Sequence, residues 1–302
     1  MSKVIILGAK GRFGRAATQA FLKAGWEVSV FGRRWAGRAP ERTTVFTGDA
    51  TDPAALIAAC KGHDLIVNAI NPPYEDWSRE LPKITAAVIA AARASEATVI
   101  IPGNVYNYGA NAPQHLNEKT AWAPTSRKGA LRVEMEQAYR AAMVRTLVIR
   151  GGDYLERAKS GNWFDAQIAA QAHAGKVVYP GALDRVHAWA YLPDMARAAV
   201  MLAEIRGRFS AFEEFCFEGY SLTGAELVDQ IAEATGKAQR VRGLPWFLVK
   251  LLGLIQPTMR EIVEMRYLWN IPHRLDGAKL AKALPDFAPT PLGEAMKDVL
   301  AA

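Results

Sequence analysis

The tightest constraint on this chain is a glycine triplet near its start, Gly8-Ala9-Lys10-Gly11-Arg12-Phe13-Gly14. It follows an apolar run at residues 4–7 and opens an alanine-rich stretch with helical periodicity at 12–24. Glycines at these spacings permit a tight turn, close approach of backbone to a pyrophosphate, and close helix–sheet contact. The helix amino terminus beyond the loop offers unpaired N–H groups and a dipole of the right sign for phosphate. Gly8, Gly11, Arg12, Phe13 and Gly14 are therefore assigned to a dinucleotide's phosphates.

The rest of the first 150 residues continues this rhythm. Short apolar runs at 28–31, 44–46, 65–67, 99–101 and 146–149 are enriched in β-branched residues and read as strands buried on both faces. Helical stretches at 53–60, 81–95 and 129–142 separate several of them. Such alternation implies a parallel sheet with right-handed crossovers and helices on both faces. Asp52 followed by Pro53 is a natural helix start.

Beyond Arg150 the rhythm weakens. A helix is expected at 163–174, strands at 176–179, 186–191 and 212–217, and a helix at 194–204 with Asp194 as its cap. Thr223 and Glu226 form a capping box for a helix at 223–235 that Gly236 stops. Four more helices are expected at 245–254, 259–269, 276–284 and 292–300, with the large apolar residues Trp246, Phe247, Met259, Met265, Tyr267 and Trp269 in core or subunit contacts. The predicted fold class is α/β. Residues 1–150 form a Rossmann-type doubly wound parallel sheet, and residues 151–302 a smaller, mostly helical lobe that partly returns to the sheet and walls the substrate side.

Composition narrows the function classes. The 302 residues are 50% hydrophobic and 22% charged, which suits a sizeable core rather than a disordered chain. Cys60 and Cys216 lie far apart, so neither a disulfide scaffold nor a metal site is expected, and a reducing cytoplasmic compartment is. The longest apolar stretch, 244–255, contains Lys250 and falls short of the ~20 residues of a spanning helix, so no membrane partner is expected. The net charge of +7 is spread thinly, without a basic run, which argues against a nucleic-acid partner. A small-molecule substrate and a second copy in a homodimer remain.

The end of the second strand bears on which dinucleotide binds. A free ribose 2′-hydroxyl usually meets an acidic residue there, whereas this chain has Gly32-Arg33-Arg34. Two guanidinium groups suit a 2′-phosphate, so NADP is expected over NAD. Asp49 after the third strand is placed near the adenine. Asn68, Ala69 and Asn71, in the small and proline-rich loop ending the fourth strand, are placed against the cofactor.

The glycine triplet, Asp49, the 68–74 loop and Asn104-Val105-Tyr106 together resemble an extended or atypical short-chain dehydrogenase/reductase. The nearest subgroup is the NAD-dependent epimerase/dehydratase, sugar-nucleotide-epimerase-like one. Residues 183–194 and the tail from Tyr267 to Leu292 are similar to that subgroup too, so the likeness spans the chain. It implies an NAD(P)-dependent oxidoreductase or epimerase acting on a small carbonyl or hydroxyl compound or a nucleotide sugar.

The same resemblance implies a serine or threonine after the fifth strand and a Tyr-x-x-x-Lys pair opening the next long helix, in which the lysine lowers the tyrosine pKa. Here the serine position is Pro102, and no tyrosine precedes Lys128 by four residues. Three arrangements stay open. Tyr106 or Tyr108 acts as a displaced tyrosine with Lys128 nearby. His187 supplies the acid–base group. Or the fold binds NADP(H) without catalysis, as a regulator or redox sensor. Tyr106, Lys128 and His187 are the catalytic candidates.

Overall fold

A computed structural model describes residues 1–35 and 39–301. In chain order the first half reads β1 (Lys3–Leu7), α1 (Arg12–Lys23), β2 (Glu27–Gly32), β3 (Thr43–Thr47), α2 (Pro53–Cys60), β4 (Leu65–Asn68), α3 (Trp77–Ser95), β5 (Thr98–Gly103), β6 (His115–Leu116), α4 (Arg127–Ala141) and β7 (Thr146–Arg150). The second half reads β8 (Asp153–Leu155), β9 (Lys176–Tyr179), β10 (Val186–Tyr191), α5 (Leu192–Glu204), β11 (Phe212–Cys216), β12 (Tyr220–Thr223), α6 (Gly224–Thr235), β13 (Arg240–Gly243), α7 (Trp246–Leu252), α8 (Pro257–Glu264), β14 (Arg274–Leu275), α9 (Ala278–Ala283) and α10 (Leu292–Leu300).

The central sheet has seven strands in the order β11-β7-β5-β4-β1-β2-β3, every neighbouring pair parallel. The inner strands β1, β2, β4, β5 and β7 are buried over most of their length, as their continuous apolar runs require. The edge strand β3, expected to be buried on both faces, is half-exposed because it has a neighbour on one side only. Val4 and Ile6 face one way, with Phe13, Ala17 and Phe21 of α1 and Met195 and Ala199 of α5. Ile5 and Leu7 face the other, with Leu56 of α2, Val88 of α3 and Met135 and Tyr139 of α4. This is a doubly wound Rossmann-type sheet. Strand order reverses between β1 and β4, and ligands of such sheets bind beyond the strand carboxyl ends at that crevice.

From the second half of the chain, β11 pairs with β7 in the central sheet and α5 packs beside α1. The remaining core is aromatic, with Trp163, Phe164, Tyr179, Trp189, Trp246 and Trp269 packed on α6 and α10. A smaller cluster of Val105, Tyr108, Leu116, Met265, Leu268 and Leu275 joins this lobe to the loop after β5.

Local capping follows the sequence closely. Asp52 accepts from Ala54 N at 2.9 Å with Pro53 in the first turn of α2. Thr223 and Glu226 close their capping box, and Gly236 ends α6 in the left-handed conformation. Four expectations differ. Residues 163–174 form no α-helix; a wide turn at Phe164–Ile168 and a tight one at Ala172–Ala174 replace it. There Asn162 Oδ1 holds the N–H groups of Phe164 and Asp165, and the wide turn lets Phe164 reach Trp189 edge-on. The helix expected at 259–269 stops at Glu264, and Met265–Trp269 tightens so that Met265, Leu268 and Trp269 are all buried. Asp194 does not cap α5. Its carboxylate accepts from Thr290 N and Oγ1 and from Arg197, tying the carboxyl-terminal segment to the sheet domain. Phe247, expected in a contact, is 71% exposed.

Candidate active site

At the crevice between β1 and β4 the site is built of backbone. Gly8 has φ +78°, and a Cβ there would lie 2.8 Å from the Ala69 carbonyl oxygen, so loop and β4 exit are in contact. A Cβ on Gly14 would lie 2.2 Å from the Gly8 oxygen, which presses α1 against the loop. Gly11 donates to Gly8 O at 2.8 Å and stands at the cap of α1 with no side chain capping the helix. The first N–H groups of α1 are therefore open to an anion, in a cradle that side chains would fill. This fits a dinucleotide pyrophosphate.

The other expected cofactor residues surround the cradle unequally. Arg33 and Arg34 are exposed at the end of β2, and Lys10 Nζ donates to Arg34 O at 2.9 Å, which brings a third cation there. Asp49 is exposed and accepts from Thr51 N and Oγ1. These bonds, with the nearby Arg33 charge, hold its carboxyl below the usual range. Asn71 is exposed. Asn68 is buried, with Nδ2 donating to the Tyr139 hydroxyl at 3.1 Å, so its side chain braces α4 against β4. Phe13 is packed into the core and has only its backbone to offer a phosphate. Arg12 reaches across to the second half of the chain, where Nε donates to Ser160 Oγ at 2.8 Å.

Beyond β5 the site is built of side chains. Asn104 Oδ1 accepts from Tyr106 N at 3.0 Å and sets the turn that carries Tyr106. The Tyr106 hydroxyl lies 3.2 Å from that of Tyr74, which comes from the loop after β4. Burial, followed by the neighbouring phenol and Asp153, pushes Tyr106 well above its ordinary pKa, and burial raises Tyr74 too. Both phenols are therefore proton donors at neutral pH. They line a small cavity together with Asp153, Trp163, Ile262, Met265, Leu268 and Trp269.

Lys128 is 1% exposed, its Nζ 2.5 Å from Glu261 and 2.5 Å from Glu264 of α8 and 5.2 Å from the Tyr74 ring centroid. Its charge is engaged by two carboxylates that sequence reasoning did not connect to it. His187 is buried behind the cavity wall. Nε2 pairs with Asp153 Oδ2 at 2.8 Å, and the ring stacks on Trp269 at 4.3 Å and 3°. His273 meets the same ring edge-on, and burial drives its pKa down to about 3. Of the three catalytic candidates only Tyr106 lines the cavity; Lys128 and His187 stand behind Tyr74 and Asp153.

Reading the sequence alone missed Tyr74, Asp153, Glu261 and Glu264. Tyr74 closes a loop already tied to the cofactor. Glu261 and Glu264, three apart on a helix, share a face.

The family model for the NAD dependent epimerase/dehydratase family matches residues 4–210. The chain belongs to that family. No curated protein sequence matches it. Among solved structures it is similar to UDP-glucose 4-epimerase from Bifidobacterium longum in complex with NAD+ and UDP, at 14% identity and a TM-score of 0.77, covering 99% of this chain and 97% of that one. The Bordetella bronchiseptica enzyme WbmH in complex with NAD+ is 17% identical with a TM-score of 0.77, covering 100% and 97%. The UDP-Glc/GlcNAc 4-epimerase of Campylobacter jejuni is 17% identical with a TM-score of 0.74, covering 100% and 98%. At these identities the likeness is one of fold.

Within this epimerase/dehydratase fold Pro102, which stands at the expected serine position, is met by a side chain of α4. Arg132, four residues after Lys128 on α4, donates from Nη2 to the Pro102 carbonyl at 2.6 Å. Its Nε is buried without a partner, and burial lowers its pKa. The position that would carry a hydroxyl thus supplies only a carbonyl, and a guanidinium answers it. Below lies a closed ionic floor. Arg150, fully buried, bonds Glu136 at 2.7 Å and Glu214 at 2.6 Å.

Proposed function

We propose that this protein is an NADP(H)-dependent enzyme of hydride and proton exchange on a small hydroxyl or carbonyl compound, with nucleotide sugars the first class to test. The observation that carries the reading is the Tyr74–Tyr106 phenol pair at 3.2 Å, lining a cavity beyond the carboxyl ends of the strands, the edge of the sheet that also carries the glycine cradle. Gly8, Gly11, Gly14 and the first N–H groups of α1 would hold the pyrophosphate, and Arg33, Arg34 and Lys10 the 2′-phosphate. When bound, the dinucleotide supplies a hydride donor or acceptor.

The chain's own residues supply the rest. Tyr106, protonated, donates a hydrogen bond or proton to a substrate oxygen, and Tyr74 stands behind it as the next donor. The Arg132 charge lowers the cost of negative charge on either phenol. Asp153, oriented by His187, accepts from a substrate hydroxyl. Lys128, held by Glu261 and Glu264, fixes the wall on which Tyr74 rests. Tyr74 and Tyr106 are both held above their ordinary pKa, so the set works as acid and electrophile rather than as a ready-made base.

The narrowness of the cavity and the two-carboxylate clamp on Lys128 favour a second reading, a non-catalytic NADP(H)-binding regulator. Calorimetric titration with NADPH, NADH and their oxidised forms comes first. NADPH should bind at least tenfold more tightly than NADH, and Arg33→Ala with Arg34→Ala should remove the difference. Equal affinities sink the preference for NADP, and no binding sinks both readings. Deuterium-labelled NADPH is then incubated with a panel of nucleotide sugars and small ketones. Label in a product, lost in Tyr106→Phe, supports the enzyme; tight binding without transfer supports the regulator.

A further inference from the structure

The helices of the second lobe differ in what they show to water. α6 turns Glu226, Asp229 and Glu233 outward and buries Leu227, Val228 and Ile231. α7 does the reverse. Phe247, Leu248, Leu251 and Leu252 are 71%, 44%, 61% and 42% exposed, and the turn beyond them presents Leu254 and Ile255 at 80% and 77%. At the helical period the four side chains on α7 span an arc of about 140°, one continuous face. The opposite face is apolar as well. Trp246 is buried with its Nε1 donating to Pro180 O, and Val249 packs on the lobe core. Apart from the exposed Lys250, the helix is apolar on both faces, and such a helix belongs in a core or a lipid environment.

Two further observations say what covers this tip. From residue 237 to residue 260 the chain holds Lys237, Arg240, Arg242, Lys250 and Arg260 and no acidic residue. Arg240, Arg242 and Lys250 are exposed and make no ion pair among the described residues, so the apolar tip carries a free basic collar. The N–H groups of residues 253–256 at the tip are also paired from within. Gly253, Leu254, Ile255 and Gln256 donate to Val249, Leu251, Leu252 and Leu252 respectively, at 2.8–3.1 Å. Hydrocarbon demands this of any backbone it takes in.

We propose that the α7 tip, residues 247–255, is an interfacial docking surface for a bilayer of anionic phospholipids, with the leucines and Phe247 entering the headgroup–acyl boundary and the basic residues paired with headgroups. Among the described residues no helix is long and apolar enough to cross a membrane, and docking at the interface requires none. The expectation of no membrane partner rested on the lack of a spanning segment alone. The surface stands apart from the nucleotide cradle and does not depend on the reading given for it.

Co-sedimentation of the purified full chain with vesicles tests this. Vesicles of phosphatidylcholine containing 30 mol% phosphatidylglycerol should bind it, and pure phosphatidylcholine should bind it far less. Arg242→Gln with Lys250→Gln should weaken binding by roughly fivefold per charge removed. Leu254→Gln with Ile255→Gln should weaken it at least tenfold while circular dichroism and melting stay unchanged. If that double variant aggregates, a fluorophore on Leu254→Cys gives the same answer, because Cys60 and Cys216 are buried and leave the label selective. Its emission should shift to the blue with anionic vesicles. Failure of the native chain to bind anionic vesicles overturns the proposal, as does equal binding to neutral ones. So does a lipid-free dimer that Leu254→Gln with Ile255→Gln converts to monomer, since a second copy would then cover the face.

Discussion

The two halves of the site sit on the same edge of one sheet and are made of different material. Between β1 and β4 the cradle is backbone, shaped by what Gly8 and Gly14 lack. Beyond β5 and β7 every contact of consequence involves at least one side chain, and several pairs carry buried charge. A backbone cradle depends on steric room and tolerates almost any surroundings. A side-chain cluster depends on partners brought from four or five elements, and it fails when one of them is removed. The first kind of site is inherited with the fold; the second has to be assembled anew in each chain, and here it departs from the family pattern.

The largest expected effect lies on the side-chain half. Arg150→Ala leaves Glu136 and Glu214 buried without their partner, and urea denaturation should show a loss of about 3–5 kcal/mol. A loss under ~1 kcal/mol would mean that this floor is not the closed network described. On the backbone half, Gly14→Ala places a methyl 2.2 Å from the Gly8 oxygen and should cost about 3 kcal/mol together with dinucleotide binding. Gly207→Ala, in the tight turn after α5 where a Cβ would meet nothing within 4 Å, should be nearly silent in the same titration. Similar behaviour of the two variants would break the contrast between a built cradle and an ordinary turn. Tyr106→Phe should lower kcat about 100-fold on any substrate that the labelling experiment reveals, with melting unchanged. A fall in stability instead would make the hydroxyl structural.

The last expected effect is a slope rather than a step. His273 is neutral in the folded chain down to about pH 3, whereas the unfolded chain takes up its proton near 6.5. The unfolded state therefore holds the extra proton inside that window. Stability is full above pH ~6.5 and falls as the pH drops, by up to about 1.4 kcal/mol per unit. His273→Gln should flatten that part of the curve, read from denaturation midpoints between pH 4 and 7. An unchanged slope would place the ring in contact with water.

What the sequence discloses of the molecule follows the same division. The glycine loop, the Asp52-Pro53 start of α2 and the Thr223–Glu226 box are local, because each works through groups within a few residues of one another. The parallel sheet was legible because strands buried on both faces leave unbroken apolar runs. Lys128 was visible as a candidate, but its partners Glu261 and Glu264 stand more than a hundred residues away, and no periodicity links them. Tyr74 meets Tyr106 across 32 residues for the same reason. Phe247 was assigned to a contact because apolar residues at helical spacing usually face a core. On α7 that spacing is satisfied on both faces, so pattern alone could not tell which one the protein covers.

The pairing of β6 with β14 has a consequence for how the chain is made. His115 and Leu116, in the segment between Tyr106 and α4, have their strand partners at Arg274 and Leu275. Synthesis is vectorial, and domains fold as they emerge. Strands β1 to β5 have all their mutual partners by residue 103, and α5, which covers α1 and the Val4–Ile6 face, ends at Glu204, so the nucleotide cradle can mature before the last ninety residues are made. The segment that follows Tyr106 must wait for the last tenth of the polypeptide. A nascent or truncated chain would thus hold its cofactor before it could act on anything, which separates loading from chemistry in time.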